Sequence, residues 1–278
     1  MKCKSILKLE FKRILTQKNI YALIVILTLW GAINEFFILS SFYPQNTESF
    51  ENPAFLAMGF LNSGNSNWRV IITFIIPLLL SFFIGSFFLD DREKGRYQVL
   101  LTKSGKRIYW SQGIAILIST FFCVIIPCIL EHIILYISFP SKTYICLNYG
   151  ESIQNLPLIS SLTCFSYLYK NHPYLLNIIC IGMYGIYCAT LALLFYSISL
   201  LMPSKINKNI VLLFIAAAFI FINVVFSFIL YDYFPVATFI FSIGNAVDFH
   251  WYLFFILFEL VISLVIITCK TRRKGDIL

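Results

Sequence analysis

The sequence predicts an all-α polytopic membrane protein with six transmembrane helices, and three observations carry that expectation. Of its 278 residues, 59% are hydrophobic and only 12% are charged, with a mean hydropathy of +0.84. A water-soluble domain carries about 25% charged residues, so this chain lacks the polar surface to wrap such a fold. Six apolar runs reach the length of about 20 helical residues that crosses the hydrocarbon core. Lysine and arginine fall almost entirely on one side of the alternation that those runs set up.

The first segment, 2–18, interleaves Ile6, Leu7, Leu9, Phe11, Ile14 and Leu15 with Lys4, Lys8, Lys12 and Arg13 at roughly helical spacing. This is the pattern of a basic amphipathic helix lying in the headgroup plane. A secretory signal peptide is the competing reading. It is set aside because the apolar run that follows is too long and is not followed by a small-residue cleavage site.

The spans then follow in order. The first is 20–41, interrupted only by Asn34 and Glu35. The second, 70–89, is free of aspartate and glutamate and contains Pro77. The third, 113–139, holds Pro127, Glu131 and His132. The fourth is 174–202, the fifth is 210–231, and the sixth, 251–269, has Glu259 near its middle. Proline inside a span is tolerated when neighbouring helices satisfy the freed carbonyls. One transmembrane domain therefore covers 1–278.

Basic residues fix the orientation. Those of the N-terminal segment, of the second-to-third and fourth-to-fifth connections, and of the tail account for eighteen of the twenty-one. Only Arg69, Lys142 and Lys170 lie on the other side. Both termini are expected in the cytoplasm. The external connections are 43–69, 140–173 and 232–250. Within the last, the apolar stretch Phe234–Ile243 is too short to span, and it suits either a re-entrant helix or a loop resting on the headgroups.

The net charge of +8 does not indicate nucleic acid, because the basic residues flank apolar runs and form no stripe with base-stacking aromatics. None of the eight cysteines forms a C-x-x-C pair, which leaves no metal motif. Cys146 and Cys164 share a predicted external connection and are candidates for a disulfide.

Residues 90–112 read DDREKGRYQVLLTKSGKRIYWSQ. They form a predicted short amphipathic helix at the cytoplasmic membrane surface, with a mixed-charge rim around Tyr97, Val99, Leu100 and Leu101. Such a face suits docking into a groove on a soluble partner. The segment resembles the cytoplasmic signature of the ABC-2 type permeases, the membrane-spanning subunits of bacterial ABC exporters. Asp91, Arg92, Glu93, Lys94 and Gly95 match its acidic-Arg-Glu-x-Gly start. Leu100 and Leu101 match its leucine pair, and Arg107 matches the basic residue before the third span. Ser104-Gly105 stand where that family often has proline, and Ser111-Gln112-Gly113 where it often has Gly-Lys. The amphipathic start, six spans, inward termini and apolar excursion before the last span also resemble that family.

The resemblance implies a multi-pass subunit of the bacterial cytoplasmic membrane, paired with a second copy or a paralogue and bound to two ABC ATPase subunits. It implies that residues 90–110 form the ATPase-coupling element and that the 232–250 excursion is re-entrant. ATP and magnesium would be bound by the partner subunits. Consistently, G-x-x-x-x-G-K-[ST] does not occur here, and Gly105-Lys106 lack both the earlier glycine and a following Ser or Thr. The cargo implied is hydrophobic or amphiphilic, with an antimicrobial peptide (exported, or expelled for self-immunity) as the leading class and a polysaccharide, a lipid-linked molecule or a drug as alternatives.

Carboxylates within spans cost about 2.5–3.5 kcal/mol at mid-membrane, so Glu35, Glu131 with His132, and Glu259 are expected to face the bundle or a wet path. They are the candidate translocation-path residues, with interhelical hydrogen bonding as the structural alternative. An enzyme embedded in the membrane finds no support, since only three histidines occur and neither H-E-x-x-H nor G-x-S-x-G is present. A secondary transporter driven without ATP is the competing function, but it leaves the 90–110 segment without a role.

Overall fold

The computed structural model describes residues 3–42, 75–93, 95–138, 168, 172–202, 208–229 and 246–272. These residues are helical apart from short turns, with no strand among them. The re-entrant stretch Phe234–Ile243, the Cys146–Cys164 pair and the connections 43–69, 140–167 and 232–245 lie outside the described residues.

Helix α1 (Cys3–Leu15) buries Ile6, Glu10 and Ile14, spaced by four, and exposes Lys8, Leu9 and Lys12. Thr16 and Gln17 break it from α2 (Lys18–Phe42), and the stretches Ile6–Leu15 and Lys18–Ile33 meet at 53°. The predicted interfacial helix and first span are thus separate helices joined by a sharp bend.

The described part of the second predicted span is not one uniform helix. It runs as α3 (Ile76–Leu80), a π-helical turn (Ser81–Gly85) and α4 (Ser86–Glu93). The helix carries on past the apolar run through Asp90–Glu93, where Asp91 pairs with Arg13 and Arg92 with the Met202 carbonyl. Gly95, with φ +67°, stops it. Helix α5 (Arg96–Ser104) follows, closed by Gly105 at φ +60°. The predicted single helix over 90–110 is therefore three pieces: the end of α4, α5, and the start of α6.

Helix α6 (Arg107–Ser138) begins about two turns before the predicted third span and runs through Pro127 without a break. Helices α7 (Pro173–Ser199), α8 (Lys208–Ile229) and α9 (Ala246–Arg272) complete the described fold. Among the described residues three helices are long and apolar enough to cross a membrane, Arg107–Ser138, Tyr174–Ser199 and Tyr252–Arg272, with the bent pair Ile6–Leu15 and Lys18–Ile33 a fourth if it acts as one span.

Helix α7 is the centre. It packs against α6, α9, α8 and the α3–α4 segment, and its side chains from Tyr187 to Leu193 are all buried. Two of its hydroxyls bond back within the helix: Thr190 donates to the Tyr187 carbonyl at 2.9 Å, and Ser199 to that of Tyr196 at 2.6 Å. Polar groups in an apolar setting require such pairing. Gly185 lets α6 come close, since a Cβ there would stand 2.7 Å from Ile125 Cγ1. Helix α9 buries Tyr252, Ile256, Glu259, Ser263 and Ile267 along one stripe and exposes Phe254, Leu257, Phe258, Val261 and Val265. An apolar exposed face of this kind fits contact with lipid.

Candidate functional site

Two constellations of buried polar groups stand out, one at each depth of the bundle. The first joins α1 to the charged segment. The buried stripe of α1 carries a carboxylate at its centre, Glu10, and Arg13 lies one turn on. Arg13 Nη2 is 2.6 Å from Glu10 Oε2 and 2.7 Å from Asp91 Oδ2 of α4. Both carboxylates are buried, whereas the Arg13 side chain keeps 19% exposure. The Arg13 guanidinium also lies 4.5 Å from the centre of the Phe87 ring, one turn before Asp91, in a cation–π contact.

Two negative groups and one positive group share this space. Burial pushes the Glu10 carboxyl above its ordinary value of 4.5, against the opposing pull of Arg13 and of the Gln112 side chain. Burial likewise raises Asp91 above 3.8, again opposed by Arg13. Desolvation disfavours the charged form, and the single guanidinium offsets it only partly.

The network extends inward. Gln112 and Tyr109 sit at the start of α6, both fully buried. The Tyr196 hydroxyl of α7 lies 3.1 Å from the Tyr109 carbonyl oxygen and 3.1 Å from Gln112 Oε1. Next to Asp91, Arg92 Nη1 donates to the Met202 carbonyl at 2.6 Å, just past the end of α7. Four helices, α1, α4, α6 and α7, are thus tied by polar contacts beside α5.

On α5 itself, Leu101 is buried and Leu100 half-buried against the core, while Arg96, Gln98, Val99 and Thr102 are exposed. Glu93 is exposed at the end of α4, Gly95 is exposed at the break, and Arg107 is exposed in the first turn of α6. Of the predicted coupling residues, Asp91 and Arg92 enter the polar network, Leu100 and Leu101 anchor α5, and Glu93, Gly95 and Arg107 remain at the surface.

The second constellation is in α7 and α9. Glu259 is buried, and its Oε2 lies 2.8 Å from Thr190 Oγ1. The same hydroxyl is 2.9 Å from the Tyr187 carbonyl. It can donate to the ionised carboxylate, or donate to the carbonyl while accepting from the protonated carboxyl, so both protonation states find a partner. Tyr252 Oη donates to the Met183 carbonyl at 2.7 Å, and Ser263 Oγ to the Glu259 carbonyl at 2.7 Å.

The remaining predicted path residues lie on α2 and α6. Glu131 is buried between α6 and Gly31 of α2, where a Cβ on Gly31 would stand 3.5 Å from Glu131 Oε2. It borders a cavity of about 10 Å³ shared with Leu27, Ile76, Cys128 and Tyr184. That is room for a single water. His132 is half-buried, edge-on to Tyr174 at 5.8 Å. Glu35 belongs to α2, and its side chain lies outside the described residues. No group of three metal-ligating side chains occurs among the described residues.

Glu10, Arg13, Gln112, Tyr196 and Thr190 were not singled out from sequence. Glu10 had a signal: it is the one acidic residue in a basic helix, and it falls in register with Ile6 and Ile14. Glu259 also had a register signal, since Tyr252 and Ser263 share its face.

A scan against protein-family models finds no match to this chain. A search of curated proteins and a search of solved structures likewise find none.

Proposed function

We propose that this chain is the permease subunit of an ATP-driven exporter of the ABC-2 type, with six spans, both termini in the cytoplasm and ATP hydrolysis in a separate partner subunit. The observation that carries this reading is α5. It is a nine-residue helix held between two left-handed glycines, Gly95 and Gly105. One side is anchored by Leu101, and the other exposes Arg96, Gln98, Val99 and Thr102. A surface-facing element placed between the short helix α4 and the long apolar helix α6 suits a force-transmitting contact with a soluble subunit. The Asp91–Arg13 and Arg92–Met202 contacts support the reading, because they link the end of α4, at the base of α5, to α1 and to the end of α7. In this reading two permease chains pair, as a homodimer or with a paralogue. The cargo is hydrophobic or amphiphilic, with an antimicrobial peptide as the leading class.

The test is affinity purification of the full chain from its native membrane in mild detergent, followed by identification of bound chains. Recovery of an ATPase with a phosphate-binding loop is expected, and Glu93→Ala or Gly95→Pro is expected to weaken its retention or its stimulated turnover. Reproducible absence of any ATPase would overturn the proposal.

One observation favours a second reading, a proton-coupled secondary transporter. It is the buried Glu259–Thr190 pair, which can satisfy either protonation state. Transport that persists without ATP and is abolished by Glu259→Gln would support it.

A further inference from the structure

Helices α6 and α9 both pack on α7 and touch each other little, which leaves a groove of about 100 Å³ between them. Trp110, Gly113 and Leu117 of α6 form one wall, Leu264 and Ile267 of α9 the other, and Leu193 of α7 the floor. The groove is apolar throughout. Gly113 sits deep in it: a Cβ there would stand 3.2 Å from Leu193 Cδ1 and 3.3 Å from Ile267 Cδ1. The start of α6 and the end of α9 meet at the same end of this groove. Three cations follow along the two helices beyond that end. Arg107 precedes Trp110 by one turn on α6, and Lys270 follows Ile267 by one turn on α9, with Arg272 just beyond. Residues three apart on a helix share a face, so both cations continue the stripes that line the groove. Trp110 is partly exposed, at 36%, where an amphipathic ring suits the headgroup level.

We propose that this groove binds an anionic phospholipid of the cytoplasmic leaflet, with one acyl chain along Trp110, Leu117 and Leu264 and the phosphate among Arg107, Lys270 and Arg272. The charge pattern selects this occupant over a second copy of the chain, whose matching groove would bring the same cations together. It also selects against a zwitterionic lipid, because the cations at the mouth come from two helices with no acidic residue in the adjoining turns, 107–110 and 267–272. Each Lys or Arg near the membrane surface contributes about 1 kcal/mol of attraction to anionic lipid. The inference rests on the membrane reading of the chain and is independent of the exporter reading.

The test uses the full chain with Trp30, Trp68 and Trp251 changed to Phe, so that Trp110 alone fluoresces. It is reconstituted in phosphatidylcholine nanodiscs doped with phosphatidylglycerol or phosphatidylcholine brominated on the acyl chains. Bromine quenches only at contact. Half-maximal quenching is expected at roughly tenfold less brominated phosphatidylglycerol than brominated phosphatidylcholine. Arg107→Gln with Lys270→Gln and Arg272→Gln is expected to bring that ratio to about one. Leu264→Phe, which narrows the groove and leaves every cation in place, is expected to lower it as well. Lys8→Gln with Lys12→Gln, on the exposed face of α1, is expected to leave it unchanged. A ratio of about one in the parent overturns the site. So does a ratio lost equally in the α1 variant, which would mean diffuse surface attraction only, or one unmoved by Leu264→Phe.

Discussion

Replacing Arg13 by Met tests the polar network most directly. The substitution keeps much of the apolar stem and removes a cation that contacts both Glu10 and Asp91, at 2.6 and 2.7 Å. It also removes the cation over Phe87. Taking one partner from a buried ion pair costs about 3–5 kcal/mol, because the remaining charge stays desolvated. Two features bring the figure toward the lower end. Arg13 is itself 19% exposed, and both carboxyls are already raised and can relieve the burial by taking up protons. A loss of about 3 kcal/mol in the docking of α1 is therefore expected near neutral pH, which is roughly a hundredfold in the docking equilibrium. Hydrogen exchange of residues 3–15 in nanodiscs reads this as a hundredfold fall in protection, with α6 and α7 little changed. The charge-free variant Glu10→Gln, Arg13→Met, Asp91→Asn should recover most of the protection, since it leaves no buried charge. Protection that falls less than threefold in Arg13→Met would refute the reasoning. So would a charge-free variant as loose as the single one.

Four further outcomes follow from the geometry. The docking of α1 should strengthen as pH falls: the docked form holds protons on Glu10 and Asp91 at pH values where the released form, with carboxyls near 4.5 and 3.8, has lost them. The strengthening should begin as pH drops through the raised values and be complete below the ordinary ones, which exchange measured from pH 8 to pH 4 will show. Gly95→Ala should cost about 1 kcal/mol of order in α5, a purely backbone effect, since its Cβ would meet nothing within 4 Å; exchange of residues 96–104 checks it. Gly185→Ala, whose Cβ would collide with Ile125 at 2.7 Å, should destabilise the α6–α7 contact by about 1–3 kcal/mol and lower the apparent melting temperature in detergent. Thr190→Val should cost only about 0.6 kcal/mol, as interhelical hydrogen bonds in membranes do, with the melting temperature nearly unchanged.

What could be read from the chain divides along physical lines. Apolar length and the amphipathic alternation of residues 2–18 are local properties, and the helices α1, α2, α6, α7, α8 and α9 lie close to the expected segments for that reason. Gly95 and Gly105 bound α5, a division that the expected single helix over 90–110 does not contain. Helix ends were less legible. Hydropathy marks where lipid contact stops, but α6 reaches back to Arg107 and α4 reaches on to Glu93 because hydrogen bonding continues past the apolar run. The π-helical turn at Ser81–Gly85 depends on packing among α2, α7 and α8, and the residues SFFIG give no notice of it. Within the candidate sites, Asp91 was visible from its motif but its partner was not, since an ion pair between residues 13 and 91 is set by tertiary packing. The Glu259 face was visible in its periodicity, and only the fold supplies Thr190 opposite it.

The pairing of Arg13 with both Glu10 and Asp91 has a consequence for how the chain is made. Arg13 and Asp91 are 78 residues apart, and Glu10 is on the same helix as Arg13. Chains are synthesised at about 5–20 residues per second, so Asp91 emerges roughly 4–16 s after Arg13. During that interval Glu10, one turn away on the same helix, is the local partner of Arg13. The arrival of Asp91 then gives that guanidinium its second partner, so α1 is fastened to α4 only after α4 has been made.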